Sequence, residues 1–147
     1  MFDHRRLLVT LSLFLAVASH TATAAEENSL NQDLSEVQNI ISQQVLAFQA
    51  ENGEMAFSFA APMIRSQLGS PQNFMMMVKH HYNPIYSARS FSFQKRMEKD
   101  RSIFQEVEFV SDLDGGINTA IYKVTKLNKL GWRISGVQLV PNAASEI

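Results

Sequence analysis

The sequence predicts an α+β domain in which helices come first and antiparallel strands follow. Before Asn83 and Pro84, apolar residues recur at three- and four-residue spacing, as on one face of a helix. After this pair, apolar and polar residues alternate, as in half-buried strands. Turn-forming residues divide the alternating part into four segments. This order predicts helices that cover one face of a four-stranded sheet.

Residues 1–25 have the pattern of a secretory signal peptide. Two consecutive arginines precede an apolar run over residues 7–18, and a stretch of small and polar residues follows it. The run is shorter than the roughly 20 residues that a membrane-spanning helix needs. Small residues permit cleavage before Ala25 or before Glu26, and the arginine pair leaves both the general secretory and the twin-arginine routes open. We therefore expect an exported protein that is periplasmic or secreted.

The domain that follows is expected to begin with a polar lead-in over residues 26–32 and an amphipathic helix over residues 33–51. Asn52 and Gly53 end this helix, because glycine readily adopts the left-handed conformation that closes many helices. The apolar residues at helical spacing are Leu34, Val37, Ile41, Val45 and Phe48. This single stripe predicts that one face of the helix is buried.

Three shorter helical segments follow. Residues 54–60 are apolar on most sides, which is typical of a buried segment. Pro62 lacks an amide proton and interrupts the helix, and residues 63–68 form another short turn or helix. The Ser-Pro pair at residues 70–71 predicts a helix N-cap with proline at the first helical position. We expect the helix that begins there to end near Tyr82.

Alternating segments predict four strands, at residues 85–94, 103–109, 117–127 and 132–140. In the last segment, Trp132 and Ile134 share one parity with Gln138. Val137 lies on the other parity, although it is also apolar. The last strand therefore carries a bulge near Gly136 or is buried on both faces.

Composition limits the classes of function. The chain has 13 basic and 14 acidic residues, a net charge of −1 and no cysteine. This balance does not favour binding to nucleic acid or to an anionic membrane, since both need a basic surface. Without cysteine there is no disulfide, thiolate metal site or thiol nucleophile. The composition is uniform, which predicts one domain over residues 33–141 and a tail over residues 142–147.

Three strings of the sequence carry a resemblance to a known family: AFQAENGEMAFSFAAPMIRSQLGSPQNFMMMV, HHYNPIY and GWRISGVQLV. They resemble an uncharacterised family of exported bacterial domains, domain of unknown function 4864, within the nuclear-transport-factor-2-like fold. The resemblance covers nearly all of the chain after the signal segment. It implies a cone-shaped fold, with the N-terminal helices packed in a curved four-stranded antiparallel sheet around a conical cavity. These motifs mark helix ends and a strand, and the family has no agreed activity, so no catalytic residue is transferred.

Seven residues are candidates for lining such a cavity. By strand parity Gln105 and Gln138 face the core, where few polar groups among apolar walls are typical of a small-molecule pocket. Tyrosine phenols and soft methionine side chains suit a ligand, although both more often pack in a core. One histidine of the His80–His81 pair is a further candidate. The complete set is Gln105, Gln138, Tyr82, Tyr122, His81, Trp132 and Met76.

No metal or cofactor is expected. His80 and His81 are neighbours on a helix, so their side chains point about 100° apart and do not face one metal ion. They lie in the last helical turn, where a positive charge interacts favourably with the helix dipole. The acidic residues around Gly115 resemble the start of a calcium loop, but a strand follows at once. An Asp-Gly hairpin turn is therefore predicted at residues 112–116.

Three functions are compatible with the sequence. The first is a non-catalytic domain that binds a small apolar ligand in the cavity. The second is an interaction module that forms a homodimer or binds a partner through the outer face of the sheet, with phenylalanine and methionine filling the cavity. The third is an isomerase- or dehydratase-like enzyme, which needs an acid or base inside the cavity. Glu106 and Glu108 face away from the core by strand parity, so His80, His81 and Glu54 remain as candidates for that group.

Overall fold

The computed structural model describes residues 18–141, and the side chains from residue 23 onward. Most of the predicted signal peptide and all of the predicted tail lie outside these residues. Within the described range, no helix is long and apolar enough to cross a membrane. The chain divides after Asp33 into an amino-terminal unit and a carboxy-terminal unit. The carboxy-terminal unit holds the remaining helices and all four described strands.

The first helix, α1 (Ala18–Gln49), begins earlier than predicted. It includes residues 26–32, which were expected to be a polar lead-in. Proline and glycine are absent from this segment, so nothing interrupts the helix, although its side chains are exposed. From Leu34 onward the predicted apolar stripe packs inward, and Val37, Ile41 and Val45 are fully buried. The stripe was therefore predicted correctly, while the start of the helix was not.

The end of α1 differs in detail from the prediction. The left-handed residue is Glu51, with φ 53°, and Gly53 does not have a positive φ. The Asn52 amide donates to the Ala47 carbonyl oxygen at 2.8 Å, which closes the turn. A Cβ at Gly53 would lie 2.9 Å from Cγ of Met75, so the glycine permits close packing against Met75.

Four short helices connect α1 to the sheet. They are α2 (Gly53–Ser58), α3 (Pro62–Leu68), α4 (Pro71–His81) and α5 (Asn83–Tyr86). The predicted cap of α4 is confirmed, since Ser70 Oγ accepts from the amide of Asn73 at 3.2 Å. α5 was not predicted, because Asn83 and Pro84 were expected only to end a helix. Proline is also suited to a first helical turn, and here it begins one.

Four antiparallel strands form one sheet in the order β1-β2-β3-β4. Their bounds are β1 (Ala88–Lys99), β2 (Ser102–Ser111), β3 (Ile117–Leu127) and β4 (Gly131–Val140). Strand β1 begins later than predicted because α5 occupies the preceding residues, and it continues across a bulge at residues 94–95. The predicted hairpin turn at residues 112–116 is confirmed, with Gly115 at φ 70° and the Ser111 amide donating to the Gly116 carbonyl at 2.8 Å.

A further bulge lies in β4 and corrects one prediction. Lys123 pairs with Gly136 and Val124 pairs with Ile134, so Ser135 is an extra residue on β4. Beyond the bulge the alternation reverses, and Gln138 is exposed while Leu139 is partly buried. The predicted inward orientation of Gln138 is therefore wrong. The imperfect alternation of this strand came from a bulge, one of the two explanations that the sequence left open.

The helices pack against one face of the sheet. Residues 59–61 run beside β4, where the Ala61 amide donates to the Ile134 carbonyl at 2.8 Å and the Ile134 amide donates to the Phe59 carbonyl at 2.9 Å. Buried residues of α1, such as Ile41, belong to the same core as Phe109 of β2. The domain is thus α+β, with helices against an open four-stranded antiparallel sheet, as the order of elements predicted.

Candidate functional site

A cavity of about 320 Å³ lies where α1, α3, α4 and α5 meet strands β3 and β4. Its walls are mainly apolar and include Phe74 and Ile134. Ile85 and Tyr122 belong to its fully buried part, whereas Met63, which also lines it, is 65% exposed. The cavity therefore extends from the core toward the surface. Its size is near the lower end of the roughly 300–1,000 Å³ that is typical of ligand pockets.

Tyr122 is the distinctive polar group of this cavity. Its side chain comes from β3, is 0% exposed and packs its ring 6.4 Å from that of Phe109. The phenol oxygen is buried and has no hydrogen-bond partner among the described residues. Burial raises the pKa of Tyr122, so the phenol stays protonated and keeps its proton to donate. An unsatisfied buried hydroxyl costs about 1–3 kcal/mol, which makes this group unusual in a folded protein.

Two other polar side chains of the lining already have partners. The Tyr82 hydroxyl donates to the Val137 carbonyl at 3.2 Å, and Gln44 Nε2 donates to the Ala56 carbonyl at 3.1 Å. Gln44 is nearly fully buried and was not among the predicted residues. Its position, three residues after Ile41 on the buried stripe of α1, was the signal that could have identified it. Gln67 of α3 also belongs to the lining, but its side chain is exposed, so among the described residues the Tyr122 hydroxyl is the buried side-chain group of the lining that has no partner.

Of the seven predicted candidates, the structure brings Tyr82 and Tyr122 together in the cavity lining. Trp132 is buried nearby in β4 but does not line the cavity. Met76 lies on the exposed side of α4, because Phe74 and Val78 turn the opposite side of that helix inward, whereas His81 is exposed as the last residue of the helix. Met77, which was grouped with Met76 in the sequence, is the methionine of α4 that reaches the lining.

Gln105 faces inward, as strand parity predicted, but it lies outside the cavity lining. Its Nε2 donates to the carbonyls of Gln94 and Lys95 at the β1 bulge, both at 3.2 Å. Its Oε1 accepts from Gln38 of α1 at 3.2 Å, and Nε2 also lies 2.9 Å from the Glu106 carbonyl. The side chain therefore connects the bulged strand to α1, which is a structural role.

A small polar cluster joins the end of α1 to two helices that contribute to the cavity. Glu51 accepts a hydrogen bond from the Tyr86 hydroxyl at 2.8 Å and from Lys79 at 3.3 Å. These two contacts, that of Tyr86 first, hold the pKa of the Glu51 carboxyl below its usual value. The Lys79 ammonium also lies 5.0 Å from the centre of the Tyr86 ring. The cluster is exposed, and within residues 18–141 no group of three or more histidine or acidic side chains is arranged to hold a metal ion.

Replacing Tyr122 with Phe is expected to stabilise the ligand-free protein. The substitution removes a buried hydroxyl that has no partner and keeps the ring, so it relieves about 1–3 kcal/mol of desolvation cost. Thermal unfolding followed by circular dichroism should show a melting temperature several degrees above that of the wild type. Tyr82→Phe is the matched control, and it should lower the melting temperature because it removes a hydrogen bond. A less stable Tyr122→Phe variant would mean that the hydroxyl has a partner.

Comparison with known proteins identifies one family. The model of a domain of unknown function, DUF4864, matches residues 30–147. The match includes all four strands that the structure describes and every residue of the cavity lining. No curated protein and no solved structure is significantly similar to the chain.

Proposed function

Since the chain belongs to the DUF4864 family, a domain of unknown function, we propose from its cavity that it binds a small apolar molecule carrying one hydrogen-bond acceptor. The observation that supports this proposal most strongly is the unpartnered, buried Tyr122 hydroxyl in a mainly apolar cavity. A ligand carbonyl, ether or hydroxyl oxygen would accept its proton and remove the cost of leaving it unsatisfied.

The dimensions of the cavity limit the ligand. An engineered apolar cavity of about 150 Å³ binds benzene. The cavity here has about 320 Å³, so it accepts a molecule larger than one aromatic ring. Phe48, Phe74 and Ile85 present apolar surface to that molecule. The ligand is therefore compact and mainly hydrocarbon, and its acceptor oxygen points toward β3.

The residues that line the cavity favour ligand binding without catalysis. Among the described residues, the lining contains no carboxylate, imidazole or amine that could move a proton. His80, His81 and Glu54, the remaining candidates for an acid or base, are exposed. Glu106 and Glu108 alternate on β2 with the buried Gln105 and Val107, on the other face of the sheet. Open space in the interior also favours a ligand over complete filling by phenylalanine and methionine.

We also propose that the domain has a nuclear-transport-factor-2-like fold and that the protein is exported. Two register shifts in β1, at residues 88–90 and 93–96, and the bulge in β4 increase the twist and bend of the four-stranded sheet, one face of which packs against the helices. This arrangement supports a nuclear-transport-factor-2-like cone. The basic and then apolar pattern of residues 1–25 supports export to the periplasm or the medium. Ligands of an exported protein would then be found in the cell envelope or outside the cell.

The test of ligand binding uses a volume change at Met77. Native mass spectrometry of the gently purified protein should reveal a retained molecule of low polarity, and acetophenone should bind in isothermal titration. Met77→Trp fills part of the cavity and is expected to weaken acetophenone binding at least about tenfold. Met76→Trp places the same ring on the exposed side of α4 and should leave the affinity unchanged.

Circular dichroism of both tryptophan variants verifies that they are folded. If acetophenone fails to bind the wild type, or if Met77→Trp and Met76→Trp bind it equally well, the cavity is not the ligand site.

A further inference from the structure

Charge is distributed unevenly along the sheet, although the whole chain is nearly neutral. The turn between β1 and β2 and the turn between β3 and β4 lie at the same end, where the Lys126 amide donates to the Arg101 carbonyl at 2.8 Å. We call residues 95–101 and 126–131 the basic end. It carries two acidic residues, Glu98 and Asp100, and six basic ones: Lys95, Arg96, Lys99, Arg101, Lys126 and Lys129.

Most of these basic side chains are available to a partner. All six residues are exposed. Lys99, Arg101 and Lys129 make no ion pair with any other residue that the structure describes. Arg96 contacts Glu98 at 3.4 Å, and Glu36 lies near Gly131, so neutralisation at this end is only partial. The opposite end of the sheet, at the turn of residues 112–116, carries Asp112 and Asp114, and the Arg89 guanidinium lies beside Gly115 there.

Apolar side chains project among the positive charges. Met97 is 58% exposed and Leu130 is 46% exposed, one near each of the two turns. The combination of exposed aliphatic side chains with lysine and arginine is typical of surfaces that bind the headgroup region of a bilayer. Proteins that bind single-stranded nucleic acid instead use exposed aromatic rings. Here Trp132 is buried, and Phe104 is only partly exposed and has the Lys123 ammonium 5.8 Å from its ring centre.

We propose that the basic end binds the surface of an anionic phospholipid bilayer, with Met97 and Leu130 entering the headgroup layer. Lys99, Arg101 and Lys129 would attract the lipid phosphates, and the attraction would decrease as salt rises. This surface is separate from the cavity and does not depend on the proposed ligand. The overall composition is nearly neutral and therefore did not favour an anionic membrane. The antiparallel order of the strands, however, brings together at one end basic residues that are far apart in the sequence.

Vesicle co-sedimentation tests this proposal. The purified protein is mixed with vesicles of equal parts phosphatidylglycerol and phosphatidylcholine, or of phosphatidylcholine alone. The wild type should bind the anionic vesicles more strongly at low salt and lose this preference at high salt. The double variant Lys99→Glu, Lys129→Glu should lose the preference by about tenfold or more. Arg65→Glu with Arg89→Glu makes the same change in net charge away from the basic end and should bind as the wild type does.

A third variant distinguishes a bilayer from a soluble polyanion. Met97→Ser with Leu130→Ser should weaken binding to anionic vesicles and leave retention on a heparin column unchanged. Phosphatidylcholine vesicles measure any attachment that is independent of charge, including that of the apolar run at residues 7–18. Equal binding of wild type and Lys99→Glu, Lys129→Glu to anionic vesicles would overturn the proposal. Tighter binding to single-stranded DNA than to vesicles would do the same.

Discussion

Replacing Gln105 with Leu should lower the free energy of unfolding by about 2–4 kcal/mol. The side chain is 0% exposed, and its amide contacts three backbone carbonyls and the Gln38 side chain. Leucine has a similar size but cannot donate, so the carbonyls of Gln94 and Lys95 lose a partner at the β1 bulge. Urea denaturation at neutral pH measures the loss, and the slope against urea should stay the same.

Gln138→Leu is the matched control for this experiment. The two glutamines had the same predicted orientation, but Gln138 is exposed beyond the β4 bulge. Its substitution should change the free energy of unfolding by less than about 0.5 kcal/mol. Equal effects of the two substitutions would contradict the structural role given to Gln105.

Replacing Phe109 with Ala should lower the free energy of unfolding by about 3–5 kcal/mol. The ring is fully buried, and its centre lies 6.0 Å from that of Phe91 and 6.4 Å from that of Tyr122. Truncation leaves a void between β2 and the helices. The surrounding side chains are closely packed and cannot move far enough to fill it. Urea denaturation again provides the measurement.

Leu113→Ala serves as the control for Phe109→Ala. Leu113 is 89% exposed in the turn between β2 and β3, so its loss removes little buried surface. We expect its effect to remain within about 0.5 kcal/mol. A Phe109→Ala variant that is as stable as Leu113→Ala would show that the ring is not part of the core.

Local pattern was sufficient to predict the order of elements. The bounds of β3 match the predicted residues 117–127, and the Ser70 cap lies where the Ser-Pro pair placed it. Patterns of this kind depend on residues close together in the chain, which is why they could be interpreted from one sequence. The prediction of a non-helical lead-in over residues 26–32 was wrong, because these residues have sufficient helix propensity to be part of α1 although they carry no apolar stripe.

The site depended on features that are not local. A single extra residue at Ser135 reversed the parity of β4, so Gln138 turned outward. The cavity forms where α3 and α4 meet β3 and β4, and no periodicity specifies that packing. Tyr122 was among the predicted residues, but the missing partner of its hydroxyl could be recognised only from the surrounding structure.

We propose that the Tyr122 hydroxyl donates to a ligand acceptor inside the mainly apolar cavity. Acetophenone and α-methylstyrene have nearly the same shape, but only acetophenone has an acceptor oxygen. Isothermal titration of wild type and Tyr122→Phe with both compounds separates the hydrogen bond from the apolar contribution. We predict that the wild type binds acetophenone more tightly than α-methylstyrene and that this preference is about two- to tenfold smaller in Tyr122→Phe, since one buried hydrogen bond contributes about 0.5–1.5 kcal/mol. The same preference in both proteins would show that the Tyr122 hydroxyl makes no hydrogen bond to the ligand.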